Sequence, residues 1–166
     1  MTAIGTLNEK PLHAALKAWY LQPGDRTEVP VDGYIVDIRR GNLLIEVQTQ
    51  NFSAIKAKLR KLTARYPVRL IYPIAREKWI VKLPKAENEK PQRRKSPKRG
   101  TLLHLFEELV SFPERLAHPN FSLHILSIQE EEIRRQDRRF GWRRGGWITH
   151  ERQLIHVLDE YLFETP

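Results

Sequence analysis

Apolar residues first recur at spacings of three and four. Leu12, Ala15, Leu16 and Trp19 fall on one face of a helix expected over residues 7–21, which Pro23-Gly24 ends. The pattern then tightens to the alternation of strands over residues 28–38 and 43–50, either side of a turn at Arg39-Arg40-Gly41-Asn42. Asn51 or Ser53 is placed to cap a second helix that runs to about Tyr66, with Phe52, Ile55, Leu59 and Leu62 on one face. Residues 68–74 and 79–83 read as two buried strands. Beyond a polar stretch at 84–100, Leu102, Leu103, Leu105, Phe106, Leu109 and Val110 predict another helix, stopped by Ser111-Phe112-Pro113. Residues 121–128 alternate as a strand, 130–139 suit helix or loop, and 140–147 a loop. Thr149 caps an expected final helix striped by Leu154, Ile155, Leu158, Tyr161 and Leu162. The order is that of an α/β or α+β protein. The expected division is a core over 1–83, a connector over 84–100 and a mostly helical C-terminal extension over 101–166.

The polar positions are unevenly charged. The 166 residues carry a net charge of +9. Residues 84–100 hold seven Lys/Arg against two Glu, and residues 134–144 hold six Arg against Asp137. The remainder has sixteen bases and seventeen acids, so a near-neutral body carries two basic segments. Such segments release counterions from phosphate backbones, which points to nucleic acid as the partner. Arg93, Arg94, Lys95, Lys98 and Arg99 are the candidates in the first segment. Trp142, Arg143 and Arg144 are those in the second, where indole and guanidinium serve bases and phosphates together. With no cysteine, disulfide scaffolds, Cys-based zinc sites and thiol nucleophiles are excluded. No apolar run reaches the ~20 residues of a membrane span, and the first residues lack a signal peptide's pattern, so no membrane partner and a cytoplasmic location are expected. The five histidines after residue 100 show no zinc spacing.

The 43–50 strand carries the chemistry. A tight turn at Gly41-Asn42 pairs residues whose numbers sum to 83, which sets Asp37 opposite Glu46 and Ile35 opposite Gln48, with Val36–Val47 and Ile38–Ile45 forming an apolar face. Like charges directly across a sheet cost roughly 0.2–1 kcal/mol, and a hard divalent cation removes that cost by accepting oxygen ligands. A longer turn would shift the register and send one carboxylate to solvent. Glu9 lies on or beside the first helix's apolar stripe, as a third site carboxylate or as a first-turn acid favoured by the helix dipole. Asp32, before Gly33, is a reserve for Asp37, though Asp-Gly is also an ordinary turn pair.

These residues resemble a known family. Glu in a first helix, then Asp, then Glu-x-Lys on a hairpin, then a helix is the pattern of the PD-(D/E)XK nuclease superfamily. Here it reads Glu9, Val36-Asp37, Glu46-Val47-Gln48 and the helix beginning near Phe52, covering residues 7–83. The resemblance implies a restriction-endonuclease-like αβββαβ core with a mixed sheet. It implies that Asp37 and Glu46 bind Mg²⁺ or Mn²⁺ with the Val47 carbonyl, and that Glu9 orients the attacking water. Gln48 departs from the pattern, since most members carry Lys there. A Gln offers a donor without charge and stabilises negative charge less. Some branches carry Glu-x-Gln, and others move the Lys to the following helix, where Lys56 and Lys58 stand. Many members act as dimers.

The leading expectation is therefore a divalent-metal-dependent nuclease acting on nucleic acid, DNA foremost, as a possible homodimer. The alternatives are a nuclease-like nucleic-acid-binding protein without catalysis and an adaptor that binds an acidic protein. The apolar stripe of the expected last helix calls for cover from the 101–111 helix, from another protomer, or from a further module of winged-helix type.

Overall fold

The computed structural model describes residues 9–110, 113–137, 139 and 145–164. Helix α1 (Pro11–Tyr20) starts with proline at its first turn, where a missing N–H costs nothing, and buries Leu12, Leu16 and Tyr20 at four-residue spacing. Glu9 therefore precedes the helix and is not an acid of its first turn. Strands β1 (Arg26–Val31) and β2 (Tyr34–Arg40) form a hairpin around Asp32-Gly33, both at positive φ, as a two-residue turn of the mirror-image type demands. The single strand expected over 28–38 is thus two. Asp32 is the ordinary turn residue, with Arg65 at 3.6 Å.

Strand β3 (Leu43–Val47) pairs antiparallel with β2 in the 83-sum register at Ile38–Ile45, Arg39–Leu44 and Arg40–Leu43. A 3₁₀ turn (Phe52–Ile55) leads into α2 (Lys56–Thr63), which carries the chain to β4 (Val68–Lys82), parallel to β3. Residues 11–82 thus run helix, strand, strand, strand, helix, strand. Strand β4 is one strand of 15 residues, not two. Arg76 is bulged out between the Ala75–Ile128 and Glu77–Gln129 pairs, and its charged neighbourhood imitates a loop. Inside the expected connector, β5 (Gln92–Lys95) pairs antiparallel with the far half of β4. Helix α3 (Leu103–Leu109) then leads to β6 (Phe121–Gln136), parallel to β4, and β7 (Trp147–Glu164) returns antiparallel along β6. Among the described residues the result is a mixed α+β fold with three helices and a mixed seven-stranded sheet ordered β1-β2-β3-β4-β6-β7, with β5 on the free edge of β4.

Strand β7 overturns the expected final helix and with it the helical C-terminal extension. Its partners skip His150, Ile155 and Leu158. Each skipped residue is a bulge, and an extra residue turns a period of two into apparent spacings of three. The helix-like stripe is a strand whose alternation has been reset. Residues 130–136 are likewise strand. Their charges are matched across the ladder: Glu130 stands opposite Lys78, and Glu132 opposite Arg152.

The central strands of the sheet are covered on both faces, whereas Tyr161, Leu162 and Phe163 at the end of β7 are exposed. On one side Leu44, Phe52, Leu59, Leu62, Leu70 and Leu123 pack with α2 and α3. On the other Leu12, Leu16, Ile38, Ile45, Ile71 and Leu126 pack with α1. The α1 end is pinned where the Tyr20 hydroxyl and His124 Nδ1 share a hydrogen bond of 2.6 Å, with His124 Nε2 at 3.1 Å from Glu160. That pin orients the opposite end of α1 toward β2.

Gly100 closes the segment after β5 onto β4, its N–H donating to the Ala75 carbonyl at 2.7 Å. A Cβ there would stand 2.7 Å from the same oxygen and 2.8 Å from Ile74 Cγ2. Gly100→Ala is expected to destabilise the protein by about 1–3 kcal/mol. Urea unfolding checks this, and unchanged stability would mean that the segment is free to lift off β4.

Candidate active site

The polar face expected on the β2–β3 hairpin is not a solvent face. Glu46 shares its side of β3 with Leu44, under α2, and is 3% exposed. The paired ladder stops at Ile38–Ile45, before Asp37 and Glu46 would face each other. Alternation fails here as well. Val36 packs in the α2 core and Ile38 in the α1 core, although residues two apart in a regular strand share a face. Opposite this break, Glu28 of β1 adopts φ 53. The Asp37 carboxylate uses the irregularity to accept the Val47 N–H at 2.8 Å, taking the place of a ladder partner. The expected face-to-face pairing of Asp37 with Glu46 is therefore replaced by side chain on backbone. The two acids still line one cleft of about 400 Å³, together with His13, Tyr34, Val47, Gln48 and Lys58.

The cleft opens where β3 leaves β4. Val47 faces Ile71, and two residues on, Pro73 has no N–H with which to continue the parallel ladder. The site therefore lies outside the carboxyl end of a parallel strand, the usual place for a crevice in such sheets.

Two residues supply what hairpin and helix patterning did not single out as site members. His13, on α1, bridges two acids: Nδ1 is 2.5 Å from Glu9 Oε1 and Nε2 is 3.2 Å from Asp37 Oδ2. The four-residue step from Glu9 to His13 was the only sequence signal for this contact. Lys17 stands 2.7 Å from Glu9 and also donates to Glu28. Lys58, in the first turn of α2, stands 2.7 Å from Glu46 Oε1 and donates to the Ile35 carbonyl at 2.6 Å. The Glu46 contact is an ion pair without hydrogen-bond alignment, so the buried Oε1 has no aligned donor. Lys56 does not line the cleft. Gln48 lines it, but its amide nitrogen donates to the Gln50 and Asn51 carbonyls at 2.7 and 3.0 Å and thus braces the loop into α2.

Burial, then the neighbouring Asp37 charge, pushes the Glu46 carboxyl up to about 7 against the pull of Lys58. Burial alone would also raise Asp37. The His13 hydrogen bond and charge, the Val47 amide and Lys58 outweigh it and hold Asp37 below the usual carboxylate range. Glu9 is likewise lowered: Lys17 and His13 overcome its burial. His13 moves the other way, because Asp37 and Glu9 outweigh its burial and raise it. Among the described residues, no group of three or more His, Asp or Glu side chains stands as a ready-made metal cage. The acids are instead divided between His13 and Lys58. The donor set nonetheless suits a hard cation, with two carboxylates on one cleft and one buried oxygen lacking an aligned donor.

The basic candidates separate by strand alternation. Arg93 and Lys95 turn to one face of β5, where they lie over Trp79 at 4.1 and 5.6 Å and pair with Glu131 at 2.6 Å and Glu77 at 3.2 Å. Arg94 turns to the other face and, with Lys98 and Arg99, lines a second, larger groove. Trp142, Arg143 and Arg144 lie outside the described residues.

A raised carboxyl binds its proton more readily in the folded chain, so Glu46 removes stability as pH climbs from about 4.5 through 7. His13 acts in the same direction, its contribution being lost as pH rises through its raised folded value. Asp37 and Glu9 act oppositely and lose theirs as pH falls through their lowered values. Glu46→Gln in metal-free buffer is therefore expected to gain on the parent by about 1–3 kcal/mol between about pH 5 and pH 8. Urea unfolding at both pH values measures the gap, and a constant gap would mean that Glu46 ionises normally.

Comparison with known proteins places this chain in a family. The family model described as "Domain of unknown function (DUF8091)" matches residues 10–164. A protein of Treponema pallidum (strain Nichols), described as an uncharacterized protein, is 36% identical over 137 residues, covering 82% of this chain and 54% of the relative. The chain thus spans about half the length of this curated relative. No solved structure matches it. Among the described residues no helix is long and apolar enough to cross a membrane. Matched by the family model from Lys10 to Glu164, the chain belongs to the DUF8091 family.

Proposed function

We propose that this protein is a divalent-metal-dependent nuclease of the PD-(D/E)XK type that hydrolyses phosphodiester bonds, with DNA the leading substrate. The observation that carries the reading is the meeting of Asp37, Glu46 and Lys58 in one cleft at the carboxyl end of β3. Further support comes from the helix-strand-strand-strand-helix-strand order of residues 11–82, which is the order expected of a restriction-endonuclease-like core.

In this reading Asp37 and Glu46 hold Mg²⁺ or Mn²⁺ through carboxylate oxygens, with the Val47 carbonyl as a third donor. The cation, when bound, supplies charge neutralisation and an acidified water. The chain's own residues do the rest. The Val47 N–H and His13 fix the Asp37 carboxylate from two sides. Glu9 in turn steadies His13, and Lys17 holds Glu9. As water adds to phosphorus and a P–O bond breaks, negative charge grows on the phosphoryl oxygens. Lys58 is the lysine lining the cleft that can meet that charge. It takes the part that a Lys at position 48 plays in most of the superfamily, while Gln48 keeps a loop-bracing role.

Cleavage of plasmid and oligonucleotides in Mg²⁺, Mn²⁺ or EDTA tests the proposal. Activity is expected with metal and absent in EDTA. Asp37→Ala and Glu46→Ala should abolish it. Lys58→Ala should lower turnover about 100-fold or more at little change in nucleic-acid affinity, and Gln48→Ala about 10-fold or less. Mg²⁺ should raise the melting temperature of the parent but not of Glu46→Gln. Nucleic-acid binding without cleavage in any metal would leave a non-catalytic scaffold, and absence of both would leave the adaptor.

A further inference from the structure

The groove beside the acid cleft is larger, about 920 Å³, and its wall holds seven Lys or Arg against Glu132 and Glu151. These cations are of two kinds. Lys78, Arg134 and Arg152 are clamped from below. Lys78 lies 3.0 Å from both Glu130 and Glu132, Arg134 2.7 Å from Glu132, and Arg152 grips the fully buried Glu130 with bonds down to 2.6 Å. They are fixed at the floor and cannot swing outward. Lys10, Arg94, Lys98 and Arg99 are exposed, and their side chains make no ion pair or hydrogen bond among the described residues. Four exposed cations therefore stand around a floor of ion-paired side chains, with Arg99 within electrostatic reach of Glu77. Tyr72, set edge-on against Phe52 with ring centroids 4.7 Å apart, adds an aromatic ring to the wall.

The groove and the acid cleft are neighbours. Thr49 lines both, and Arg152 Nη1 donates to its carbonyl at 3.4 Å, which ties the groove floor to the loop leaving β3. The volume bears on what kind of polyanion fits. A duplex presents its phosphates on a wide convex surface and would touch a depression of this size only at the rim. A single strand can lie inside it, its phosphates on the exposed cations and a base against Tyr72.

We propose that this groove binds a single polynucleotide strand, DNA or RNA, and leads it toward the acid cleft. The delivery rests on the nuclease reading, whereas the binding does not.

Fluorescence anisotropy of the full chain in EDTA, where cleavage is silent, tests the binding directly. The probes are labelled oligo-dT, oligo-rU and a blunt DNA duplex of equal length. A single strand is expected to bind about tenfold or more tighter than the duplex, and the better of the two homopolymers identifies the sugar preferred. The double variant Arg94→Ala/Lys98→Ala should lose about tenfold or more in single-strand affinity. It should also flatten the slope of log affinity against log salt by about one, at roughly 0.7 per phosphate contact. Arg93→Ala/Lys95→Ala, on the opposite face of β5, should stay within about twofold of the parent and serves as the control for loss of bulk charge. Equal or tighter duplex binding, or equal losses in the two double variants, overturns the inference. If metal-dependent cleavage persists while the groove variant binds single strands like the parent, the groove falls and the nuclease reading stands. If groove-dependent strand binding occurs without cleavage in Mg²⁺ or Mn²⁺, the groove stands and the nuclease reading falls.

Discussion

Two neighbouring carboxylates, one of them buried, must be neutralised, and much of the surrounding architecture answers to that constraint. At low effective dielectric the repulsion between Asp37 and Glu46 is too large to leave unscreened. The fold meets it by bringing a basic side chain from each layer. The α1 layer brings His13 to Asp37, and the α2 layer brings Lys58 to Glu46. The sheet between them is deformed to allow this. Strand β2 gives up its alternation at Asp37, and β3 leaves β4 where Pro73 cannot extend the ladder. A buried acid with an opposing partner in each layer ties three elements together at the point where hydrogen bonding between strands ends.

The same logic recurs on the outer half of the sheet. Beyond the end of β3, strands β4, β6 and β7 run on with β5 on their free edge, and here the buried groups are Glu130 and Glu132. Burial would raise Glu132, yet Arg134, Lys78 and Thr149 hold it down to about 2. Carboxylates facing cations across a ladder let charged sequence enter the interior of a sheet, since removing either partner would leave an unpaired buried charge.

Elements whose pattern is local were legible in the sequence. The four-residue step of Leu12 and Leu16, the Gly41-Asn42 turn with its 83-sum register, the Leu59 and Leu62 face of α2 and the Leu105 and Leu109 face of α3 each need only neighbouring residues to be read. What failed depends on partners distant along the chain. Residues 130–136 look like a solvated segment until Lys78 and Arg152 are placed beside them, and Arg76 looks like a break until its bulge is seen. The site divides in the same way. Asp37 and Glu46 were readable from the hairpin. Lys58 was readable only as one of two helix lysines, because the tilt of α2 over β3 decides which one enters the cleft. His13 was not singled out, because its value comes from an acid 24 residues away.

The bulges of β7 have a geometrical meaning beyond the misleading period they impose. Eighteen residues of β7 run beside the fifteen from Ser122 to Gln136, and the three skipped positions make up the difference. A bulge bends the strand that carries it and tightens its local twist, so the surplus is absorbed at three places along β7 without a loop. Strand β7 is also the outermost strand of the sheet. An edge kinked three times is a poor template for another strand, so the surplus residues guard the open side of the sheet against pairing with a second chain.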